Sequence, residues 1–160
     1  MRVVNLAPWR GSVHEACKNP TFGQRLATLP VERRTIKTDN GDVCGANWAM
    51  AEMIGFRPTM EDAFVATKMN HPFSNWSLFA VLDGHGGGQC SELVSRKLQS
   101  VLELELKNGT ESDIENALVS TFQKLDTDFC SQFLICGSTC VAVVVTGWVV
   151  VSYYSYVHKW

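Results

Sequence analysis

The chain has 160 residues and a formal net charge of -2 at pH 7; 46% of its residues are hydrophobic and 19% are charged. These values fit one globular domain, or one domain with an arm, and exclude a chain too polar to form a core. Lysine and arginine are scattered apart from the Arg33-Arg34 pair. The sequence thus lacks a basic stripe that would neutralise nucleic-acid phosphates, and we expect no nucleic-acid partner.

Residues 1–42 are predicted to form an irregular N-terminal arm. Three prolines and several glycines interrupt this segment, and its apolar residues keep neither a period of 2 nor one of 3.6. A mitochondrial leader is the alternative, because arginines are frequent here, but Glu15 and Glu32 interrupt the pattern. We place the domain at residues 43–160 and predict its first strand over residues 43–53.

Two further strands are predicted next to charged residues. Pro58 excludes a helix interior around Glu61 and Asp62, and the alternating residues that follow predict a strand with charge at its start. The apolar run over residues 76–82 predicts a buried strand, which leads directly into the glycine-rich stretch 83–88. A buried strand that delivers a carboxylate into a glycine-rich turn is typical of a functional site at the edge of a scaffold.

Two amphipathic helices are predicted after the glycines. Apolar residues at helical spacing indicate one helix from Gln89 to about Asn108. A capping-box pattern at residues 112–115 starts the second helix, whose apolar stripe continues to Phe129. We expect the two helices to be antiparallel neighbours.

The last part of the chain is predicted to be a β-hairpin. Small and β-branched residues over 138–145 and 148–156 favour two strands joined at Thr146 and Gly147. The uncharged segment 133–157 also permits an alternative, a single membrane helix, since about 20 apolar residues suffice to span a bilayer. The valine runs and the glycine in its middle favour the strands.

Three carboxylates at predicted strand ends, Glu61, Asp62 and Asp83, indicate a site for a hard metal ion. Carboxylate and carbonyl oxygens suit Mg2+ or Mn2+, whereas Zn2+ prefers cysteine and histidine ligands. Gly84 lets the main chain approach a metal closely, so its carbonyl is a candidate ligand. The alternatives are a surface ion pair of Arg57 with the adjacent acids, a solvated pair of loop charges at Glu61 and Asp62, and a simple turn at Asp83 and Gly84.

Three segments in order resemble the signatures of the PPM-type (type 2C) metal-dependent serine/threonine protein phosphatases. They are Arg57-x-x-Met60-Glu61-Asp62-Ala63, Phe79-Ala80-Val81-x-Asp83-Gly84-His85-Gly86-Gly87 and Gly137-Ser138-Thr139. The resemblance covers about residues 43–145 and identifies residues 43–160 as a partial domain of this family, its amino-terminal part. It implies an α+β fold in which an antiparallel β-sandwich is flanked by helix pairs, with the metals at one end of the sandwich.

The resemblance also implies roles for individual residues. The positions that match metal ligands, for two Mg2+ or Mn2+ ions, are Glu61, Asp62, Asp83 and the carbonyl of Gly84. Arg57 matches the phosphate clamp, since a planar guanidinium pairs with two phosphoryl oxygens at once. His85 matches the general acid for the leaving alkoxide, with a turn histidine as the alternative. The implied reaction is hydrolysis of phosphoserine or phosphothreonine by metal-bound hydroxide.

The chain departs from the family pattern after Asp128, because no Asp or Glu follows it. The family draws further aspartate ligands from later strands, so we expect a truncated domain with an incomplete second metal site. Activity of this particular chain is therefore a separate question from family membership. The alternative function is a catalytically inactive fragment that binds a phosphoprotein or another partner.

The expected partner is a protein that carries phosphoserine or phosphothreonine, and we expect a monomer. The six cysteines form no C-x-x-C pair and no signal-peptide pattern opens the chain, which favours the cytoplasm, with the nucleus as a second option. We expect no membrane contact, although residues 133–157 would be a tail anchor if they were helical.

Overall fold

The computed structural model describes residues 37–54, 56–108, 113–131, 135–147 and 150–158. The elements in these ranges are β1 (Lys37–Val43), β2 (Ala46–Glu52), β3 (Ala63–Lys68), β4 (Ser77–His85), α1 (Gln89–Asn108), α2 (Ile114–Cys130), β5 (Gly137–Val145) and β6 (Val150–His158). The fold is α+β. β1 and β2 form one antiparallel sheet, and the second sheet has the order β3-β4-β5-β6, also antiparallel.

The first sheet is a tight hairpin. Cys44 and Gly45 both have positive φ angles, 53° and 82°, as a two-residue type I′ turn requires. The carboxylate of Asp42 accepts a hydrogen bond from the Gly45 amide at 3.2 Å, which fixes the turn. β2 confirms most of the strand predicted over residues 43–53. The prediction of irregular chain is wrong for residues 37–42, which pair with β2 as β1; residues 1–36 of the predicted arm lie outside the described residues.

The hairpin is attached to the second sheet by side chains at its turn and in β2. The Ser77 hydroxyl donates to the Val43 carbonyl at 2.9 Å. The Cys44 thiol lies 3.6 Å from the Trp76 carbonyl. The rings of Trp48 and Phe64 contact each other with centroids 6.1 Å apart. These contacts fix the hairpin next to β3 and the start of β4.

The core lies between the four-stranded sheet and the two helices. Strand alternation places Leu78, Ala80 and Leu82 of β4 on the buried face, because successive side chains point to opposite faces. α1 packs on β3, β4 and β5, whereas α2 packs on α1 and β6. The buried helix residues are mainly leucine, valine and phenylalanine, and Leu98 and Leu125 are fully enclosed. Both helices therefore confirm the predicted apolar spacing.

The start of α2 differs in detail from the prediction. The N-cap residue is Asp113, whose side chain makes no capping hydrogen bond to the backbone. It accepts a hydrogen bond from the Asn116 amide group instead, at 2.8 Å. The capping box predicted at residues 112–115 involves Ser112, which lies outside the described residues.

The other face of the sheet is apolar and partly exposed, and we call it the open face. The register aligns its residues across the strands: Phe64, Phe79, Val81, Val141, Val143 and Tyr154. Val81 is 60% exposed and Tyr154 53% exposed. The alternative prediction of one membrane helix over residues 133–157 is wrong, because β5 and β6 form strands in this segment. In the described ranges, no helix is long and apolar enough to cross a membrane.

Candidate metal and phosphate site

Two carboxylates meet where β3 begins and β4 ends. Ala63 of β3 pairs with Leu82 of β4 in the antiparallel register. Asp62, directly before Ala63, is therefore a cross-strand neighbour of Asp83, directly after Leu82. Cross-strand neighbours lie about 5 Å apart at their Cβ atoms. Partial desolvation, although the side chain is exposed, and the negative charge of Asp83 raise the pKa of the Asp62 carboxyl. The strand pairing thus concentrates negative charge at one end of the sheet.

Other groups around Asp62 change this carboxyl further. The backbone amide of Gly84 donates a hydrogen bond to it and lowers its pKa, whereas the nearby charge of Glu52 raises it. The Arg57 guanidinium is close enough to lower the pKa as well. The net result is a raised pKa, with desolvation as the largest cause and the charge of Asp83 as the second. Carboxylates this close to one another favour a cation or a cationic group between them.

Glu61 is held through both its side chain and its backbone. The Thr59 hydroxyl donates to the Glu61 carboxylate at 2.9 Å. The Ser91 hydroxyl donates to the Glu61 carbonyl at 2.5 Å. That carbonyl lies against the α-carbon of Gly84, where an added Cβ would be within 3.0 Å of both the Glu61 carbonyl carbon and Ser91 Oγ. Glycine is therefore required at position 84 because the Glu61 backbone crosses over it.

Five of the six predicted site residues line one pocket. The pocket has a volume of about 140 Å³ and is lined by Met53, Ile54, Arg57, Thr59, Met60, Glu61, Asp62, Asp83 and Gly84. This volume accommodates a small hydrated ligand, since about 10 to 15 Å³ of water-accessible space holds one water molecule. The site is open to solvent, because Arg57, Asp62 and Asp83 are all exposed.

His85, the sixth predicted residue, does not line this pocket. It ends β4 opposite Gly137 of β5. A Cβ added at Gly137 would lie 2.6 Å from Nε2 and 2.9 Å from Cε1 of the imidazole. The ring therefore occupies the space that the missing side chain of Gly137 leaves, beside the pocket and in line with Asp83 on the same face of β4.

The oxygen-rich donor set fits a hard divalent cation only in part. Asp62 and Asp83 repel each other, and a shared cation would relieve that repulsion. The part of the chain that the structure describes contains no group of three or more His, Cys, Asp or Glu side chains that could hold a metal ion. The pair of aspartates thus offers only part of the ligands that a metal ion needs.

Two further residues next to this site were not predicted from the sequence. Glu52 is the last residue of β2, and its only signal was a carboxylate at the end of an alternating strand. Ser91 lies in the first turn of α1 and is fully buried. A buried serine in a first helical turn reads as an ordinary capping or packing residue, so its contact with Glu61 could not be predicted.

Comparisons with known proteins identify a family and several relatives of this chain. The family model described as Protein phosphatase 2C matches residues 47–149, more than half of the chain. The chain is 37% identical over 94 residues to "Probable protein phosphatase 2C 5" of Paramecium tetraurelia, covering 56% of this chain and 31% of that protein. It is 32% identical over 89 residues to "Protein phosphatase 2C homolog 1" of Saccharomyces cerevisiae, covering 56% of this chain and 31% of that protein.

A third relative and a solved structure extend the match. "Probable protein phosphatase 2C 56" of Oryza sativa subsp. japonica is 30% identical over 139 residues, covering 78% of this chain and 38% of that protein. The "Structure of a C.elegans sex determining protein" shares the fold with a TM-score of 0.51 and 22% identity, covering 69% of this chain and 26% of that chain. The chain spans about a third of the length of the curated relatives it matches. Its motifs, fold and family match together establish that the chain belongs to the protein phosphatase 2C family.

Proposed function

We propose that this chain carries a metal-dependent protein phosphatase site that acts on phosphoserine and phosphothreonine. The observation that carries the proposal is the pair of facing carboxylates, Asp62 and Asp83, in one pocket with Arg57. The pocket thus offers oxygen ligands for a cation and a guanidinium for an anion. A phosphate ester with its divalent cation has this combination of charges.

Asp62 and Asp83 are the residues that would hold the cation, together with the Gly84 carbonyl and Glu61. Mg2+ or Mn2+, when bound, supplies Lewis-acid stabilisation of charge on phosphate and acidifies water. Both carboxylates are exposed, so a cation reaches them without opening the core. Two ions are proposed from the family resemblance, and the two described aspartates account for only part of their ligands.

Arg57 would orient the phosphoryl group. Its position near Asp62, whose pKa it lowers, keeps the guanidinium at the pocket. A guanidinium presents parallel N–H donors that pair with two phosphoryl oxygens. This pairing fixes the phosphorus atom with respect to the carboxylates, and correct placement of reacting groups is a large part of the rate enhancement of enzymes.

His85 would donate the proton that the leaving alkoxide of serine or threonine needs. Its ring lies over Gly137, on the same face of β4 as Asp83. It is therefore beside the pocket, where the alcohol part of the substrate would leave. General acid catalysis of this kind contributes about 10² to 10⁴ in rate, so loss of His85 would slow the reaction without weakening metal binding.

The experiment is Mn2+-dependent phosphate release from a phosphothreonine peptide, measured for the full 160-residue chain. Asp83→Asn should lower the rate by about 100-fold or more, since it removes charge stabilisation at the reacting group. Asp128→Asn is the matched control: Asp128 forms an exposed ion pair with Lys97 at 3.0 Å, outside the pocket, and the rate should not change. A folded chain that releases no phosphate with Mn2+, or one for which both variants behave alike, would refute the proposal.

A further inference from the structure

We infer that Ser91 is a positioning residue that fixes the Met60–Asp62 segment against the start of α1 and so sets where the Asp62 carboxylate lies. Its hydroxyl makes two contacts, 2.5 Å to the Glu61 carbonyl and 2.9 Å to the Gly88 carbonyl. The side chain is fully buried, so water does not compete for these contacts.

The Glu61 carbonyl is the acceptor that depends on Ser91. A hydroxyl has a single proton to donate, and the contact to Glu61 is the shorter one. The Gly88 carbonyl already accepts the Glu92 amide at 3.0 Å, as the helical hydrogen-bond pattern requires. The hydroxyl proton is thus assigned to the bond that links two separate segments, the loop before β3 and the first turn of α1.

Two glycines shape the groove in which this loop lies. At Gly84, an added Cβ would be 3.0 Å from Ser91 Oγ and would overlap the Glu61 carbonyl. At Gly88, an added Cβ would contact the Met60 carbonyl at 3.5 Å and the Glu61 α-carbon at 3.7 Å. The loop is therefore enclosed by glycine backbone on two sides, and Ser91 supplies a polar bond at the base of the groove.

The Ser91 hydrogen bond affects the position of Asp62. Asp62 directly follows the residue whose carbonyl Ser91 holds, and its carboxylate accepts a hydrogen bond from the Gly84 amide. Without the Ser91 bond, the loop would be held at Asp62 by that amide and by the start of β3. Ser91 thus links helix α1 to the segment that carries the Asp62 carboxylate. The effect of Ser91 on metal binding rests on the proposed function, which assigns this carboxylate to the metal.

The test compares Ser91→Ala with Thr121→Val in the full chain. Thr121 is the matched control, since its hydroxyl is also fully buried and donates to a helix carbonyl, that of Ala117 at 2.7 Å, but within α2. Hydrogen exchange of the Met60, Glu61 and Asp62 amides is followed by NMR, with the β4 amides as an internal reference for global stability. Mn2+ affinity is measured by calorimetry.

Ser91→Ala should speed exchange in the loop by about tenfold with no matching change in β4, and should weaken Mn2+ binding by about fivefold, the effect of one net hydrogen bond. Thr121→Val should leave both the loop and Mn2+ affinity as in the wild type. Equal exchange changes in the loop and in β4, or no change in the loop, would overturn the inference. If the wild-type chain binds no Mn2+, the proposed function fails, and the exchange comparison alone still decides the role of Ser91.

Discussion

Gly84→Ala tests whether the close packing at the end of β4 determines the site. The new Cβ would lie 3.0 Å from the Glu61 carbonyl carbon and 3.0 Å from Ser91 Oγ, and closer still to the Glu61 carbonyl oxygen. Backbone cannot rotate away as a flexible side chain does, so the Met60–Asp62 loop must move. Overpacking of this kind costs about 1 to 3 kcal/mol. Loss of the Ser91 hydrogen bond adds about 1 kcal/mol, for a total of about 2 to 4 kcal/mol.

The assay is urea denaturation of the full chain, followed by circular dichroism. Gly147→Ala is the matched control, because an added Cβ there meets nothing within 4 Å. Its free energy of unfolding should stay within about 0.5 kcal/mol of the wild type. Displacement of the loop by about 1 Å should also lower any phosphatase rate by about 100-fold. Equal stability of the two variants would show that the Glu61 backbone does not cross Gly84 as described, and the reasoning would fail.

Three further outcomes follow from other residues. Partial desolvation and the charge of Asp83 raise the pKa of Asp62 above its ordinary 3.8, so the ionised carboxylate lowers the stability of the folded state. Asp62→Asn should therefore raise the melting temperature at pH 7 in the absence of metal. This gain should disappear below about pH 4, where the carboxyl is protonated in the folded and the unfolded states. Gly137→Ala should destabilise the fold by about 1 to 3 kcal/mol in urea and shift the NMR signals of His85, whose Nε2 would lie 2.6 Å from the new Cβ. Burial raises the pKa of Glu103, but the Asn70 amide hydrogen bond at 2.7 Å and other donors lower it, and the net pKa is lowered. Glu103→Gln should therefore lower the free energy of unfolding by about 1 to 2 kcal/mol at pH 7. The loss should become smaller as acid protonates the wild-type carboxyl. The predictions for Asp62 and Glu103 are wrong if the variant and the wild type show the same dependence of stability on pH. The prediction for Gly137 is wrong if the variant and the wild type unfold at the same urea concentration.

The parts of the fold that depend on apolar spacing could be predicted from the sequence. α1 begins at Gln89 and ends at Asn108, as the spacing of its leucines and valines indicates, because burial of one helix face is a strong periodic signal. The strand predicted over residues 76–82 was found, but β4 continues to His85. Glycine inside a strand reads as a turn, and only the three-dimensional contact with Glu61 explains why Gly84 is tolerated there.

β1 could not be predicted, for a physical reason. The hairpin turn uses Cys44 at a φ of 53°, and cysteine carries no turn signal of the kind that Asn or Gly gives. The strand itself reads Lys37-Thr38-Asp39-Asn40-Gly41-Asp42-Val43, which is polar and lacks alternation. Its pairing with β2, and not its own composition, makes it a strand.

The site residues themselves could be predicted by type and order, and their contacts could not. Asp62 and Asp83 are 21 positions apart in the sequence, and only the antiparallel register places them side by side. Ser91 and Glu52 entered the site through pairing and packing, which leave no local signal in the sequence.

The attachment of the hairpin to the four-stranded sheet determines the distance between charged groups that come from different parts of the fold. Glu52 and Arg57 belong to the hairpin and the segment directly after it, whereas Asp83 belongs to the central strand under the helices. The contacts at Ser77 and Trp48 therefore help to set where the guanidinium lies relative to Asp83, without any change in the helical core. Substitutions at Trp48 would then alter the affinity for an anion from a position that never contacts it.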